Sequence, residues 1–213
     1  MYRPAHFDEP DPASLLDEMA AHVPATLITH PSTGFQASIL PFIFERSTGS
    51  NGVLVGHLAR PNGQWREVTD DTDALAIFVG PDAYVSPSLY ATKRETGKVV
   101  PTWDYVTVLA HGTLVVHDDP IWLRDLVTRL TDRHEASRPK PWSVDEPPPG
   151  YVDSMLRGIV GVELRITRLE GKRKLSQNRP VADQDGVIEA FSAGGPGEQA
   201  VAAAMEELRA RRG

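Results

Sequence analysis

The chain has 213 residues, 40% of them hydrophobic and 24% charged, which is typical of a globular protein with one well-buried domain. A formal net charge of −7 argues against general binding to nucleic-acid phosphates, and no apolar run of about 18 residues predicts a membrane span. The absence of cysteine excludes disulfides, thiolate metal sites and a cysteine nucleophile, and it fits a reducing compartment. We therefore expect a soluble, cytoplasmic protein with a single domain over residues 1–213.

The first half of the chain predicts one helix followed by short strands. Asp11 and Pro12 are typical of a helix start, and an apolar face continues to Val23. Pro41 indicates an edge strand or a bulge, and the turn residues of Thr48–Gly52 predict a hairpin. The predicted strands in this half cover residues 25–29, 37–44, 53–58 and 74–79.

The second half predicts a long strand, two helices, another strand and a terminal helix. After a loop over 82–100, alternating side chains indicate a strand from Trp103 to His117, with Gly112 as a bulge or bend. Asp119 and Pro120 predict the start of the next helix. The remaining segments are a proline-rich loop at 138–150, a short helix at 151–157, a strand at 159–169, and a helix at 198–211 within the C-terminal residues 194–213.

This order of elements predicts the fold class. Strands joined by turns, with few helices between them, favour an antiparallel sheet or barrel over a parallel wound fold. The predicted fold is therefore mainly β with helices (α+β), a single barrel-like domain with the helices packed outside.

The sequence matches the motifs of three common kinds of site poorly or not at all. Gly195–Ala200 resembles a dinucleotide-binding glycine motif, but no strand follows it and a proline lies inside the turn, which favours a linker before the last helix. The seven histidines lack metal-binding spacing, and no metal site is predicted. No nucleophile elbow, Walker loop or paired-carboxylate motif occurs, so no catalytic residue is assigned.

Two groups of polar and cationic residues follow strand-like segments. One is the cationic run, Lys172–Arg179, and the other is Arg60 with His57, Asn62 and Gln64 beside it. An arginine fork with several neutral donors suits a phosphate. The residues alone leave two interpretations open, an anion site or charges exposed to solvent.

Four segments together resemble the PaiB family of FMN-binding negative transcriptional regulators. They are Gly56–Arg60, Gly80–Ser88, Val100–Tyr105 and Leu169–Arg179, and the opening Met1–Phe7 is similar too. The resemblance implies a six-stranded antiparallel split β-barrel, similar to pyridoxamine phosphate oxidases and flavin reductases. It also implies a homodimer with FMN at the subunit interface.

The resemblance also implies a set of cofactor-binding residues. His57, Ala59, Arg60, Asn62 and Gln64 would line the ribityl-phosphate part of FMN, with Arg60 as the expected phosphate ligand. The flavin ring, its loop or the interface would be enclosed by Ser86, Pro87, Ser88, Tyr90, Pro101, Thr102 and Trp103. The pocket would be closed, from the same or the partner subunit, by Lys174, Ser176, Gln177, Asn178 and Arg179.

Three positions depart from the family pattern. Pro61–Trp65 changes a turn but keeps its asparagine, glutamine and tryptophan. Leu89 stands where an aromatic residue is expected, which removes a stacking partner. Asp104 stands where an asparagine is expected, which places a carboxyl group near the implied flavin.

Three functions follow as hypotheses. The first is a PaiB-type FMN-binding homodimer that represses transcription; the acidic balance disfavours direct DNA recognition, so a local patch or a protein partner would carry the regulation. The second is an FMN-dependent oxidoreductase or flavin reductase that uses NAD(P)H and an unknown acceptor. The third is a flavin-free binding module that retains only the barrel.

Overall fold

The computed structural model describes residues 1–46, 51–69 and 72–212 and has an α+β architecture. Among these residues, eight strands form one sheet: β1 Asp8–Glu9, β2 Ala25–Thr29, β3 Gln36–Leu40, β4 Ile43–Glu45, β5 Val53–Ala59, β6 Asp73–Val85, β7 Thr102–His117 and β8 Ile159–Lys174. The α-helices are α1 Pro12–Ala21, α2 Ala91–Thr96, α3 Pro120–Glu135, α4 Tyr151–Leu156, α5 Val181–Ser192 and α6 Pro196–Arg212. No helix in the described part of the chain is long and apolar enough to cross a membrane.

The strand order in the sheet is β3-β2-β6-β7-β8-β5-β4, and β1 pairs with β8. The sheet is antiparallel and is not closed, because β3 and β4 form its two ends. The predicted α+β antiparallel class is confirmed. The predicted count of six strands is wrong, because the run 37–44 divides into β3 and β4 at Pro41 and Phe42 and because β1 was not foreseen.

Several predicted elements are confirmed close to their expected bounds. The strand at 25–29 is β2, and the helix predicted from Asp119 is α3, where an Asp119 carboxylate oxygen accepts a hydrogen bond from the backbone of Ile121 at 3.1 Å. β4 pairs antiparallel with β5, as expected for the hairpin. Residues 48–50 of its predicted turn lie outside the described residues.

Other predictions were wrong in extent. β6 continues to Val85, and α2 lies inside the segment predicted as a loop over 82–100. β8 continues to Lys174, so the first three cations of the cationic run are strand residues, and α5 was not predicted. Gly112 does not interrupt β7: a Cβ there would lie 2.0 Å from the carbonyl oxygen of Arg165, so glycine allows close backbone approach.

The chain separates into two compact units. Unit 1 comprises Met1–Glu18, Val79–Val108 and residues 170–212, and unit 2 comprises residues 19–78 and 109–169. The boundaries fall within α1, β6, β7 and β8, so these four elements contribute residues to both units.

The core of unit 1 lies under its two C-terminal helices. α5 and α6 pack on each other and on side chains from β6 and β7. The helical spacing of Val187 with Phe191, and of Val201 with Met205, buries one face of each helix. Strands and loops complete this core with Ala83, Val85, Tyr90, Val106 and Leu175.

A buried arginine joins three elements of unit 1. Arg173, only 4% exposed, extends from β8, and its guanidinium lies 3.2 Å from a carboxylate oxygen of Glu9 and 2.5 Å from one of Glu18. Glu207 of α6 approaches the same guanidinium at 3.8 Å. Buried charges need partners because desolvation costs several kcal/mol per ion. The exposed-charge interpretation is therefore wrong for Arg173, and also for the buried Lys172.

Replacing Arg173 with methionine should lower the free energy of unfolding by about 3–5 kcal/mol, because Glu9 and Glu18 would lose their contacts with a buried cation and Arg211 approaches Glu9 only at 3.8 Å. Urea denaturation of the two proteins measures the difference. The matched control is Arg209→Met, which breaks an exposed pair with Asp185 in the same unit and should cost at most about 1 kcal/mol. Equal losses from both substitutions would show that burial does not set the strength of the Arg173 contacts.

In unit 2, α3 covers one face of β5. Trp122 of this helix stacks on His117 with ring centroids 4.1 Å apart, and its ring occupies the space where a Cβ at Gly161 would lie. His117 Nε2 lies 2.8 Å from Glu163 Oε2, which fixes the imidazole under the indole. The apolar side chains beside this stack are Ile43, Val53, Val55, Leu126 and Leu130.

Candidate functional site

The predicted site residues occur in both units. Those from His57 to Gln64 belong to unit 2, whereas those from Ser86 to Arg179 belong to unit 1. Each group has its own hydrogen-bond network.

The carboxylate of Asp104 is the centre of the group in unit 1. Asp104 lies in β7 with 0% of its surface exposed. One oxygen accepts a hydrogen bond from the Ser176 hydroxyl at 2.6 Å, and the other lies 3.4 Å from the Lys174 ammonium. Burial raises the pKa of the Asp104 carboxyl, and the contacts from Ser176 and Lys174 oppose that rise.

The ammonium of Lys174 is engaged by unit 1 itself. It donates to the Thr102 hydroxyl at 2.6 Å and to the backbone carbonyl of Trp103 at 2.6 Å. An ammonium has three N–H donors, and with Asp104 all three are directed at protein oxygens. Lys174 therefore anchors the start of β7, next to the exposed Pro101, and has no remaining donor for a ligand.

A tight turn follows Lys174. Ser176 has a left-handed backbone with φ of 57°, which is uncommon for a residue other than glycine. The Gln177 side chain bonds to the backbone of residues 173 and 175, and the Arg179 amide donates to the Ser176 carbonyl at 2.9 Å. Asn178 at the tip is exposed. The hydrogen bond between Ser176 and Asp104 thus connects this turn to β7.

The turn places Arg179 over a buried aromatic ring. Its guanidinium carbon lies 4.7 Å from the centroid of Tyr90, a cation–π distance. Burial raises the pKa of the Tyr90 phenol, and the nearby Arg179 charge opposes that rise. Arg179 makes no ion pair or side-chain hydrogen bond with any residue in the described ranges.

The Ser86–Ser88 loop forms a short 3-10 helix at Pro87–Leu89. The Ser86 hydroxyl accepts a hydrogen bond from the Ser88 amide at 3.2 Å, and the two hydroxyl oxygens are 2.8 Å apart. Pro87 occupies the first helical position, and Tyr90 ends the element. The serines therefore shape the loop that carries Tyr90.

An aromatic face, made of Tyr84 and Trp103, is exposed on unit 1. Trp103 is 50% exposed, and its indole N–H donates to an Asp82 carboxylate oxygen at 3.0 Å. Its ring lies 6.1 Å from that of Tyr84, which is also exposed. A fixed, exposed indole is suited to stacking on a flat ligand or on another protein.

Three of the four sequence segments therefore converge in unit 1. Lys174 and Ser176 of the cationic run contact β7 at residues 102–104, and Arg179 contacts Tyr90 at the end of the Ser86–Ser88 loop. The run, the β7 start and the loop are therefore connected by contacts of the buried residues Asp104, Ser176 and Tyr90.

The fourth segment, in unit 2, is built around Arg60. Its guanidinium forms a two-fold hydrogen-bonded pair with Asp118 and donates to the carbonyls of Arg157 at 2.7 Å and Ile159 at 2.9 Å. Four of the five N–H donors of an arginine are thus used. The hydrogen bond from Arg60 lowers the pKa of the Asp118 carboxyl. A phosphate at Arg60 would have to compete with a carboxylate that is already in place.

Asn62 and Gln64, two other predicted residues of unit 2, make hydrogen bonds within the protein just after the end of β5. Asn62 caps the 3-10 helix Gly63–Glu67, and the buried Gln64 donates to Thr29 at 3.2 Å and to the carbonyl of Leu27 at 3.3 Å. Ala59 is exposed. Burial lowers the pKa of the His57 imidazole, and its Nδ1 has no hydrogen-bond partner among the described residues.

A cavity of about 320 Å³ lies beside the Arg60–Asp118 pair in unit 2. Its apolar wall includes Leu123 and Leu156, and Arg157 lies at its edge. This volume is at the lower end of the range for small-molecule pockets, roughly 300–1,000 Å³.

Two carboxylates with a clear role were missed. Asp82 orients the Trp103 indole, and Asp118 pairs with Arg60. Asp82 lies in a segment predicted as a loop, and Asp118 directly precedes a predicted helix start. No sequence signal indicated either pairing, because the partners are 21 and 58 residues apart along the chain.

Comparison with known proteins assigns the chain to a family. The family model described as "Putative FMN-binding domain" matches residues 1–168. The chain belongs to this family. The Bacillus subtilis PaiB protein, named protease synthase and sporulation protein PAI 2, is 30% identical over 191 residues, which are 89% of this chain and 88% of that protein. An uncharacterized protein of Emericella nidulans is 36% identical over an alignment of 187 residues that covers 73% of this chain and 74% of that one.

Solved structures share the fold of this FMN-binding domain family member. A conserved hypothetical protein of Mycobacterium tuberculosis superposes with a TM-score of 0.59 at 14% identity, covering 84% of this chain and 94% of that one. The FAD and heme binding protein of Mycobacterium smegmatis gives a TM-score of 0.54 at 18% identity, covering 88% and 80%. The resemblance to PaiB found in the sequence is confirmed, whereas the cationic run lies beyond the family match.

Asp104→Asn should change how stability depends on pH. Folding raises the pKa of Asp104, so the folded protein binds this proton more tightly, and stability is lost as pH rises from the unfolded value through the folded pKa. The asparagine variant cannot ionise there. As the pH rises from about 4 towards neutrality, the free energy of unfolding of the wild type should therefore fall relative to that of the variant. Urea denaturation of both proteins across this pH range measures the difference. A relative rise would mean that Ser176 and Lys174 outweigh the cost of burial.

Proposed function

We propose that the protein is an FMN-binding protein of the PaiB type that acts as a homodimer in the negative regulation of transcription. Family membership and the identity with PAI 2 support the cofactor. We further propose that the open antiparallel sheet is a form of the split barrel, with β1 and β4 as additions to the six expected strands.

The observation that carries the proposal is the convergence of three motif segments in unit 1. The start of β7, the Ser86–Ser88 loop and the cationic run meet through Lys174, Ser176 and Arg179. These are the segments that the PaiB resemblance implicates in flavin binding. Their meeting in one unit is what a common ligand requires.

The residues of unit 1 fit the two chemical parts of FMN. The Trp103 indole, fixed by Asp82, offers a flat apolar face for a heterocycle, and Arg179 offers a charged edge for an anion. Hydroxyls of Ser86 and Ser88 lie in the loop before Tyr90 and offer neutral donors. When bound, FMN supplies electron-transfer chemistry at its ring, and these residues bind and orient it.

The exposed aromatic face supports the homodimer. Tyr84 and Trp103 expose large apolar rings, and aromatic residues are enriched where protein surfaces meet. A second copy of the chain on this face would exclude water from the same indole that we assign to the flavin.

Three experiments separate the functional alternatives. A visible absorbance spectrum of the purified protein, with and without added FMN, tests cofactor binding, and a colourless protein with no thermal shift on FMN addition would favour the flavin-free module. NADH or NADPH oxidation with a panel of acceptors tests the oxidoreductase alternative, for which turnover is required. A gel shift at physiological salt tests direct DNA binding, and the regulatory proposal fails if neither DNA nor a protein of the transcription machinery binds the FMN-loaded dimer.

Trp103→Ala should weaken FMN and riboflavin equally, by about 1–2 kcal/mol, because the lost contact is with the ring that both ligands share. Titration followed by flavin fluorescence measures both affinities. Trp142→Ala removes a comparably exposed indole, 45% against 50%, from unit 2 and is the matched control, with no expected effect. Equal effects of the two substitutions would remove Trp103 from the ring-binding role.

A further inference from the structure

The cationic run contains four cations, and three of them are engaged by the protein. Lys172 is buried between the rings of Tyr2 and Tyr105, with its ammonium 5.7 and 5.2 Å from their centroids. Arg173 is paired with glutamates, and Lys174 directs all three of its donors at protein oxygens. Neither Lys172 nor Arg179 makes an ion pair or a side-chain hydrogen bond within the described residues, but Lys172 is buried whereas Arg179 is half-buried.

The open guanidinium of Arg179 is held in place from one side. Its guanidinium carbon lies 4.7 Å from the centroid of the Tyr90 ring, and this cation–π contact uses none of its N–H donors. Its backbone is tied into the turn by the hydrogen bond to the Ser176 carbonyl. The Ser176 hydroxyl donates a hydrogen bond to the buried Asp104, so the turn that carries Arg179 is attached to β7.

The acidic side chains near Arg179 are buried and form no ion pair with it among the described residues. Asp183, in the first turn of α5, is the acidic residue closest in sequence, and one of its oxygens accepts a hydrogen bond from the Thr92 amide at 2.8 Å. It is fully buried and therefore does not occupy the exposed side of the turn. An anion at Arg179 would also lie near the N-terminal end of α5, where the helix dipole favours negative charge.

We propose that Arg179 is the anion-binding residue of unit 1 and that it takes a phosphate monoester, which an arginine binds through two parallel N–H···O bonds. The proposal rests on the proposed function in that FMN is the phosphate monoester expected there. It assigns the phosphate to Arg179 and not to Arg60, whose fork is closed by Asp118.

The first test compares two ligands that differ only in the phosphate. FMN and riboflavin are titrated into the wild type, Arg179→Gln and Arg60→Gln, with flavin fluorescence as the readout. Arg179→Gln should weaken FMN by about 10- to 100-fold and leave riboflavin within about twofold. Arg60→Gln should weaken both ligands to the same extent, or neither. A selective loss of FMN affinity in Arg60→Gln with none in Arg179→Gln overturns the proposal.

A second pair of variants tests the support from Tyr90. Tyr90→Phe keeps the ring under the guanidinium and should retain the preference for FMN over riboflavin. Tyr90→Leu removes the ring and should reduce that preference by about three- to tenfold, because the guanidinium is no longer held. Equal preferences in the two variants would show that stacking does not position Arg179.

Inorganic phosphate separates this proposal from the proposed function. If the wild type binds neither FMN nor riboflavin, the FMN-binding function fails, and phosphate alone then decides the role of Arg179. Nitrogen-15 NMR should show a phosphate-dependent shift of the Arg179 side-chain N–H resonance, assigned by its loss in Arg179→Gln. A resonance that phosphate does not move, in a protein where FMN affinity is also unaffected by Arg179→Gln, rejects the anion site.

Discussion

The buried charge of Asp104 constrains the surrounding part of unit 1. A carboxylate with no exposed surface keeps its charge at modest cost only if donors surround it. These donors are Lys174, the last residue of β8, and Ser176, in the turn that follows β8. The hydrogen bonds to this one carboxylate therefore hold together the end of β8, the start of β7 and the turn before α5. An asparagine at this position would carry no charge and would need a different set of hydrogen-bond donors and acceptors.

Counting donors changes the meaning of a cation-rich sequence. Lys174 and Arg60 carry charge next to a predicted site, but their N–H groups point at protein oxygens and cross-link strands and loops. Arg179 differs because its side chain contacts an aromatic ring and makes no hydrogen bond or ion pair within the described residues, and an aromatic ring neutralises no charge. Anion affinity follows from the donors that folding leaves free, and the number of basic residues in a segment is a poor guide to it.

Local patterns predicted the local structure well. Alternation located β2 and β7, and the Asp119–Pro120 signal located α3, because these depend on neighbours in sequence. The burial of Arg173 and the Arg60–Asp118 pair were not predictable in this way. Each depends on a partner far along the chain. The candidate site residues came from the family resemblance. Only the structure shows which of them use their hydrogen-bond donors within the protein and which could donate to a ligand.

The composition of the Arg173 cluster has a consequence for the timing of folding. Glu9 and Glu18 come from the first segment of unit 1, Arg173 from β8 and Glu207 from α6, so the cluster is complete only when residue 207 is available. During synthesis the residues of unit 2 leave the ribosome well before that point. Unit 1 must therefore finish folding late, and until then α1 exposes the carboxylates and apolar side chains that its later partners will cover.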